Sequence, residues 1–370
     1  MAGADVVERA FPGATILPGL INAHVHLAFS AGPDRLAHLM GPLEEERLVL
    51  AMAGRAQQLL NSGVTTVRDL GDRGGLAVRL RQAINTGELI GPRILAATAP
   101  LTPPGGHCWF LGGEVAGAAQ IRQQVQRNAD AGADVIKVMV SGGNMTPGGA
   151  HMWEQQFSTE ELRTAVAQAH RLGLPVAAHA HGTSSIRACV EAGVDTIEHC
   201  TWLIGPGIVG RDEQIAADIA AAGIAVCTAN SNDWRPFAPT FGAERARQII
   251  GRVRWMADRG VRLITGTDAG MTAFENFPAA LHALQEWGFT PDRILQMATL
   301  TTAEAIGLGT TTGRVHAGYS ADLLIVRGDP LTDLAALQQP ILVMARGRAH
   351  LPSPPQSRGG DISGNGAPLV

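Results

Sequence analysis

Residues Ile16–His26 read ILPGLINAHVH, an apolar run that closes on two histidines one residue apart. In a β-strand, residues i and i+2 point to the same face, so His24 and His26 are expected to project together. Two imidazoles side by side can chelate a transition-metal ion. Taken alone, such a pair also fits ordinary core or surface histidines. Working outward, further short runs rich in Val, Ile and Ala predict strands at Val64–Asp69, Arg93–Ala97, Asp134–Met139, Pro175–His179, Thr196–His199, Ala225–Thr228 and Arg262–Thr267. Amphipathic stretches between them predict helices at Glu44–Leu60, Leu76–Thr86, Ala118–Ala131, Thr159–Leu172, Thr183–Ala192, Asp212–Ala222, Ala243–Arg259 and Asn276–Trp287. Several end at a glycine, such as Gly63, Gly132 and Gly193, a residue that takes the left-handed turn without a Cβ clash. Eight β-α units predict an α/β fold, a (β/α)8 TIM barrel of about 250 residues or more. A doubly wound open sheet would usually carry a glycine-rich phosphate turn after its first strand, and none is present.

After two more helical segments, Pro291–Thr299 and Thr302–Gly307, the pattern changes. Gly313–His316, Ala321–Arg327 and Ile341–Arg346 are short β-rich runs that suggest a small sheet module. Leu351–Val370, rich in Pro, Ser and Gly, is expected to be disordered. The chain has 370 residues, 45% hydrophobic and 17% charged, with a net charge of −4. That balance gives no basic footprint for nucleic acid or an anionic membrane. No apolar run approaches the roughly 20 residues of a membrane-spanning helix. Met1–Gly13 lacks the basic-then-apolar order of a signal peptide, and the four cysteines (Cys108, Cys189, Cys200, Cys227) contain no Cys-x-x-Cys. A soluble cytoplasmic protein is expected.

Lys and Arg together number 29, and Lys137 alone among them is lysine. A GC-rich coding bias explains the scarcity but not the survival of one lysine inside an apolar strand. Arginine there would keep the charge but could not become a neutral amine nucleophile. Lysine chemistry and accident both remain open from this fact alone.

In the predicted barrel, active sites lie at the C-terminal ends of the strands. His179, His199 and Asp268 fall at or just after such ends, as do His24 and His26, and Lys137 lies on the fourth strand. Six scarce residues gathered on one face form a combined signal that no single motif carries. His181 lies on the same strand face as His179, one step further out. His107, in the loop Pro104–Trp109, is a pocket candidate or an exposed loop histidine. His38, His170, His282, His316 and His350 fall off this face and read as surface or packing residues. Cys200 should face away from its neighbour His199. Ser141-Gly142-Gly143-Asn144 could cradle an anionic group or simply turn the chain. Trp153, Trp202 and Trp234 sit in or near predicted loops, where they could wall a pocket or merely pack.

At these residues the chain resembles the amidohydrolase superfamily of metal-dependent hydrolases. The matching stretches are LPGLINAHVH (17–26), DVIKV (134–138), AHAHG (178–182), TIEH (196–199) and TGTDAG (265–270). The resemblance spans roughly Pro12 to Gly347 and is strongest to the branch with imidazolonepropionase-like proteins, Xaa-Pro dipeptidases and ochratoxin-cleaving amidases. It implies two divalent metal ions, with zinc the first expectation and manganese, cobalt or iron as alternatives. His24, His26 and Asp268 would hold one ion, and His179 and His199 the other. Lys137, N6-carboxylated by carbon dioxide, would bridge them together with a hydroxide. The implied reaction is attack of that hydroxide on an amide carbon, as in a dipeptidase, carboxypeptidase or N-acyl amino-acid amidase. Asp268 would shuttle the proton to the leaving nitrogen, and His181 and His107 would contact substrate. The same site could instead act on a carbamate, lactone or phosphoester, or catalyse a cyclisation. A catalytically silent binding protein is a third reading, disfavoured because every expected ligand is present.

The resemblance also divides the chain. Residues 1–16 would be the remnant of an N-terminal half of a β-sandwich, 17–311 the barrel, 312–350 the C-terminal sandwich strands and 351–370 a tail. The stretch Gly318–Val326 resembles the family's C-terminal sandwich signature. Relatives generally have several strands before the Leu-Pro-Gly segment, whereas only 16 residues precede Leu17. A late start codon, a trimmed module, or a second subunit in a homo-oligomer covering the exposed edge would each account for this.

Overall fold

A computed structural model describes residues 8–32, 36–42 and 44–353. Among the described residues, thirteen strands form three sheets. A three-stranded parallel sheet contains β2 (Leu20–Val25), β3 (Val64–Asp69) and β4 (Arg93–Ala96). A second sheet contains β5 (Ile136–Met139), β6 (Val176–Gly182), β7 (Thr196–Gly205), β9 (Ala225–Cys227) and β10 (Arg262–Ile264), all parallel, with β8 (Ile208–Val209) folded back antiparallel on β7. Main-chain hydrogen bonds link the two sheets on both sides through residues that follow β4 and β10. Leu101 N–H donates to the Lys137 carbonyl at 2.8 Å and Met139 N–H to that of Leu101 at 2.9 Å. At the other side Ala23 N–H reaches the Thr265 carbonyl and Asp268 N–H that of His24, both at 2.9 Å.

The third sheet is small and antiparallel, in the order β1 (Ala14–Pro18), β11 (Leu323–Arg327), β12 (Pro340–Ala345), β13 (Arg348–His350). Its edges are β1 and β13. The apolar run Ile16–His26 is therefore not one strand. It divides at Pro18-Gly19 into β1, paired with β11, and β2, paired with β3. The reason is local: a Cβ at Gly19 would stand 2.1 Å from Thr65 Oγ1, so only glycine lets the chain pass from one sheet to the other. Buried Asp322 ties the small sheet to β4, accepting from Arg93 Nη2 at 3.2 Å and from the Arg346 N–H at 2.7 Å.

Other sequence expectations shift in detail. The strand expected at Thr196–His199 runs on to Gly205. Gly313–His316 is not a strand; its first residue sits at φ +90° and the stretch bends without pairing into a sheet. Pro291–Thr299 and Thr302–Gly307 are one continuous segment, with a wide π-turn over Met297–Thr301 between Pro291–Gln296 and Thr302–Ala305. The segment predicted as a helix at Asn276–Trp287 has 3₁₀ turns at both ends of a short α-helix, Phe277–Ala283.

The helices follow their sequence signals closely. In Thr159–Arg171, Ser158 caps the Glu161 N–H while the Glu161 carboxylate reaches back to Ser158, a reciprocal cap worth about 1 kcal/mol. The same helix buries Leu162, Ala165, Val166 and Ala169 at three- and four-residue spacing. Its basic end, His170 and Arg171, meets the negative pole of the helix dipole. Among the described residues, no helix is long and apolar enough to cross a membrane. The expected tail is outside the described residues from 354 onward.

Candidate active site

His24 and His26 stand at the end of β2 with both rings buried. Each is fixed through Nδ1. His24 Nδ1 pairs with Glu198 Oε2 at 2.7 Å, and His26 Nδ1 donates to the Gly71 carbonyl at 3.2 Å. Occupying Nδ1 as donor leaves Nε2 with its lone pair, and both Nε2 atoms lie 3.5 Å from Asp268 Oδ1. Asp268 is presented from a left-handed backbone, φ +56°. Ligand atoms of His24, His26 and Asp268 all lie within 4.8 Å of one another.

A second group faces this one. His179 and His181 come from β6 and His199 from β7, and their ligand atoms also fall within 4.8 Å of each other. Ring centroids are 4.6 Å apart for His179 and His199, and 4.5 Å for His181 and His199. His24 lies 5.0 Å from His199, so the two groups adjoin. His179 Nε2 donates to the Gly142 carbonyl at 3.1 Å, leaving Nδ1 as its basic nitrogen. His181 Nδ1 pairs with Thr201 Oγ1, which leaves Nε2 available. Geometry thus gives His181 the same donor reach as His179 and His199.

The electrostatics suit neutral donors. Burial, first of all, lowers the pKa values of His26, His179, His181 and His199 well below the ordinary histidine range, with neighbouring histidines adding to the effect. His24 is lowered by burial and by Lys137, partly offset by Glu198 and Asp268. Lys137, on β5, is 1% exposed and its Nζ has no hydrogen-bond partner among the described residues. Burial pushes its pKa down to about 8. A buried amine without a partner is costly, and its neutral form is correspondingly more accessible.

His107 is not an exposed loop histidine. It is buried, its ring 4.7 Å from that of His179, and a Cβ at Gly143 would stand 2.3 Å from it. Gly143 is thus where the chain must lack a side chain for His107 to fit. Burial brings the His107 pKa down to about 3. Gln156 fastens this corner by accepting from the His107 N–H and donating to the Met139 and Ser141 carbonyls. The Ser141–Asn144 turn does not offer the full anion cradle that its composition allowed. Ser141 and Gly142 N–H groups already donate to the His179 and Glu154 carbonyls.

Of the tryptophans, Trp202 is a core residue inside β7, edge-on to Trp255 at 5.1 Å. Trp234 packs under the Arg247 guanidinium, 4.0 Å from the ring centroid. Trp153 stacks on His151 at 4.5 Å while its main chain abuts Gly182, next to His181. His170 pairs with Asp195 and His350 with Asn61, away from the cluster. Cys200 is buried and its thiol pushed up to about 12, which suits packing and not nucleophilic attack.

Two residues that the sequence did not single out complete the arrangement. Glu198 is fully buried and accepts from His24 Nδ1, Arg68 Nη2 and Thr196 Oγ1, each at 2.7 Å. Burial acts to raise its pKa, but Arg68 and the His24 hydrogen bond overcome this and hold the carboxyl well below the usual range. Arg68 itself is 2% exposed and also donates to the Ala23 carbonyl at 2.9 Å. The available signal was an arginine inside an otherwise buried strand, and a glutamate adjacent to a candidate ligand.

The model of the amidohydrolase family matches residues 15–349 of this sequence. The chain belongs to the amidohydrolase family. It is accordingly a hydrolase acting on carbon–nitrogen bonds, in a family that usually binds metal ions. Ochratoxinase from Aspergillus niger is 27% identical over 367 residues, covering 88% of this chain and 72% of the relative. Imidazolonepropionase from Chromobacterium violaceum is 26% identical over 349 residues, covering 85% and 77%. A solved Xaa-Pro dipeptidase with methionine bound in its active site superposes with a TM-score of 0.80 at 27% identity, covering 94% of this chain and 90% of that one. The small antiparallel sheet and the two histidine groups are thus features of an amidohydrolase-family chain.

Proposed function

We propose that this chain is a binuclear metal-dependent amidohydrolase cleaving an amide or peptide-like bond in a small substrate, of the dipeptidase or N-acyl amino-acid amidase type. Its eight parallel strands β2–β7, β9 and β10 are read as a closed (β/α)8 barrel with the site at their C-terminal ends, and the small sheet as part of a β-sandwich module. One observation carries the reading: the buried Lys137 Nζ, which has no hydrogen-bond partner among the described residues, accompanies two adjoining donor groups, His24–His26–Asp268 and His179–His181–His199. A lone buried amine fits poorly as a structural cation and well as the precursor of an anionic two-oxygen bridge, which arginine could not form. Neutral imidazoles, those of His24 and His26 fixed through Nδ1 and that of His179 through Nε2, fit a metal of the zinc type.

On this reading His24, His26 and Asp268 would hold one ion and His179 and His199 the other, with carboxylated Lys137 as a further anionic ligand. Bound ions supply Lewis acidity that lowers the pKa of water and polarises the scissile carbonyl. The chain's own groups do the rest. Asp268 accepts a proton at a carboxylate oxygen and returns it to the leaving nitrogen. His181, with Nδ1 engaged by Thr201, offers Nε2 to the substrate, and His107 closes the wall beside His179. Similarity to an Xaa-Pro dipeptidase and to ochratoxinase supports an amino acid joined through its nitrogen to an acyl group.

Metal analysis combined with a substrate panel tests this. The expected result is two ions per chain and turnover of dipeptides or N-acyl amino acids. Stoichiometric metal without any hydrolysis would favour a silent binding protein, and turnover of esters or phosphoesters alone would favour the other chemistry at the same site.

A further inference from the structure

Strand β7 leaves regular geometry beside the site. Ala180 of β6 faces His199 and the next pair is Gly182 with Leu203, so residues 200–202 stand opposite a single residue of β6. His199, Cys200 and Trp202 have φ values of +66°, +46° and +61°. For side chains with a Cβ this region is strained, and it persists only where the surroundings enforce it.

Here the enforcing surface is one face of the helix Ala243–Ala257. Arg252 donates from Nε to the Cys200 carbonyl and from Nη2 to the His199 carbonyl, both at 3.0 Å, while Nη1 caps the Ile249 carbonyl. One turn on, Trp255 meets Trp202 edge-on, and Trp202 Nε1 donates to Met256 Sδ at 3.3 Å. Arg252 is 2% exposed, and no carboxylate is paired with it among the described residues. A buried guanidinium without a counter-ion is an expensive way to fill a helix face that leucine or methionine could pack.

We propose that Arg252 is a positioning residue whose planar fork clamps the His199 and Cys200 carbonyls, holding the left-handed backbone that turns the His199 imidazole into the site. Regular alternation would place Glu198 and His199 on opposite faces. In this chain both serve the same centre, Glu198 by its bond to His24 and His199 by its approach to His24, His179 and His181. The clamp rests on the reading of His199 as a metal donor given above. Lysine cannot replace it, because a point charge on a flexible stem does not reproduce two parallel N–H bonds.

The test uses the full chain, its Arg252→Lys and Arg252→Met variants, chelator-stripped, checked for fold by circular dichroism and titrated with Zn²⁺ in bicarbonate against a chelating dye. Wild type is expected to show two binding events. The variants keep the event held by His24, His26 and Asp268 and lose affinity in the other by about 10-fold or more, the scale of a lost ligand-orienting contact. With Co²⁺, the visible absorption of one site should change while that of the other persists. Folded variants with both events at wild-type strength would overturn the clamp. So would equal weakening of both events in step with Tm, which would assign Arg252 to packing. If Arg252→Met fails to fold, Arg252→Lys, which keeps charge and most of the volume, decides. A wild-type chain that takes up no ion would instead overturn the functional reading itself.

Discussion

Glu198 and Arg68 form a buried ion pair, 2.7 Å between Oε1 and Nη2, and the other carboxylate oxygen of Glu198 holds His24 Nδ1. The pair fixes the orientation of the first candidate ligand before any ion arrives. Removing one partner would strand the other charge in the interior, a loss of about 3–5 kcal/mol. Glu198→Ala is therefore expected to lower the denaturation midpoint sharply. Glu198→Gln, which keeps the shape but not the charge, should fold better and weaken metal uptake by about 10–100-fold. Chemical denaturation and metal titration of both variants check this, and a Glu198→Gln protein with unchanged metal affinity would refute the orienting role.

Lys137→Arg keeps a cation in the same buried place but removes the amine that carbon dioxide can modify. The expected outcome is a folded protein with little bound metal and a rate reduced by about 100-fold or more, the scale of a lost group at the reacting centre. Elemental analysis of protein grown with ample trace metals measures it. Full metal occupancy at wild-type rate would remove Lys137 from the bridge.

His181 shares donor reach with His179 and His199, yet the proposed role is substrate contact. His181→Asn should retain both ions and lose turnover, by about 10–100-fold. Loss of one whole metal equivalent would make His181 a ligand in place of one of its neighbours.

Much of this centre was legible because strand alternation and the strand-end rule act on single residues. His24, His26, His179 and Lys137 are placed by those rules alone. The strand-end rule also points to His199, but β7 runs on to Gly205, and His199 faces the site through a backbone bulge that departs from regular alternation. Glu198, Arg68 and Arg252 escaped notice for a related reason. Each acts on a partner 50 or more residues distant, and a buried charge reveals itself only when the counter-group is seen. The division at Pro18-Gly19 was hidden because both halves of the run are apolar and either would read as strand.

Asp72 gives a pH dependence of opposite sign to that of ordinary salt-bridged acids. It is buried, accepting from the Gly75 and Ala77 N–H groups at the start of the helix Leu76–Thr86, and burial raises its pKa to about 6 against those bonds. A carboxyl with a raised folded-state pKa binds more protons folded than unfolded between about pH 4 and 6. Its contribution to stability is thus complete below the unfolded value and is lost as pH rises through about 6. Asp72→Asn removes this carboxyl and its repulsion of buried Asp69, so the difference in unfolding free energy between wild type and variant should shift in favour of the variant as pH rises from 4 to 6. Urea denaturation of both proteins at pH 4.5, 5.5, 6.5 and 7.5 measures that difference. A difference that stays flat across the range would place the Asp72 pKa at its ordinary value, with the two helix N–H bonds offsetting burial in full.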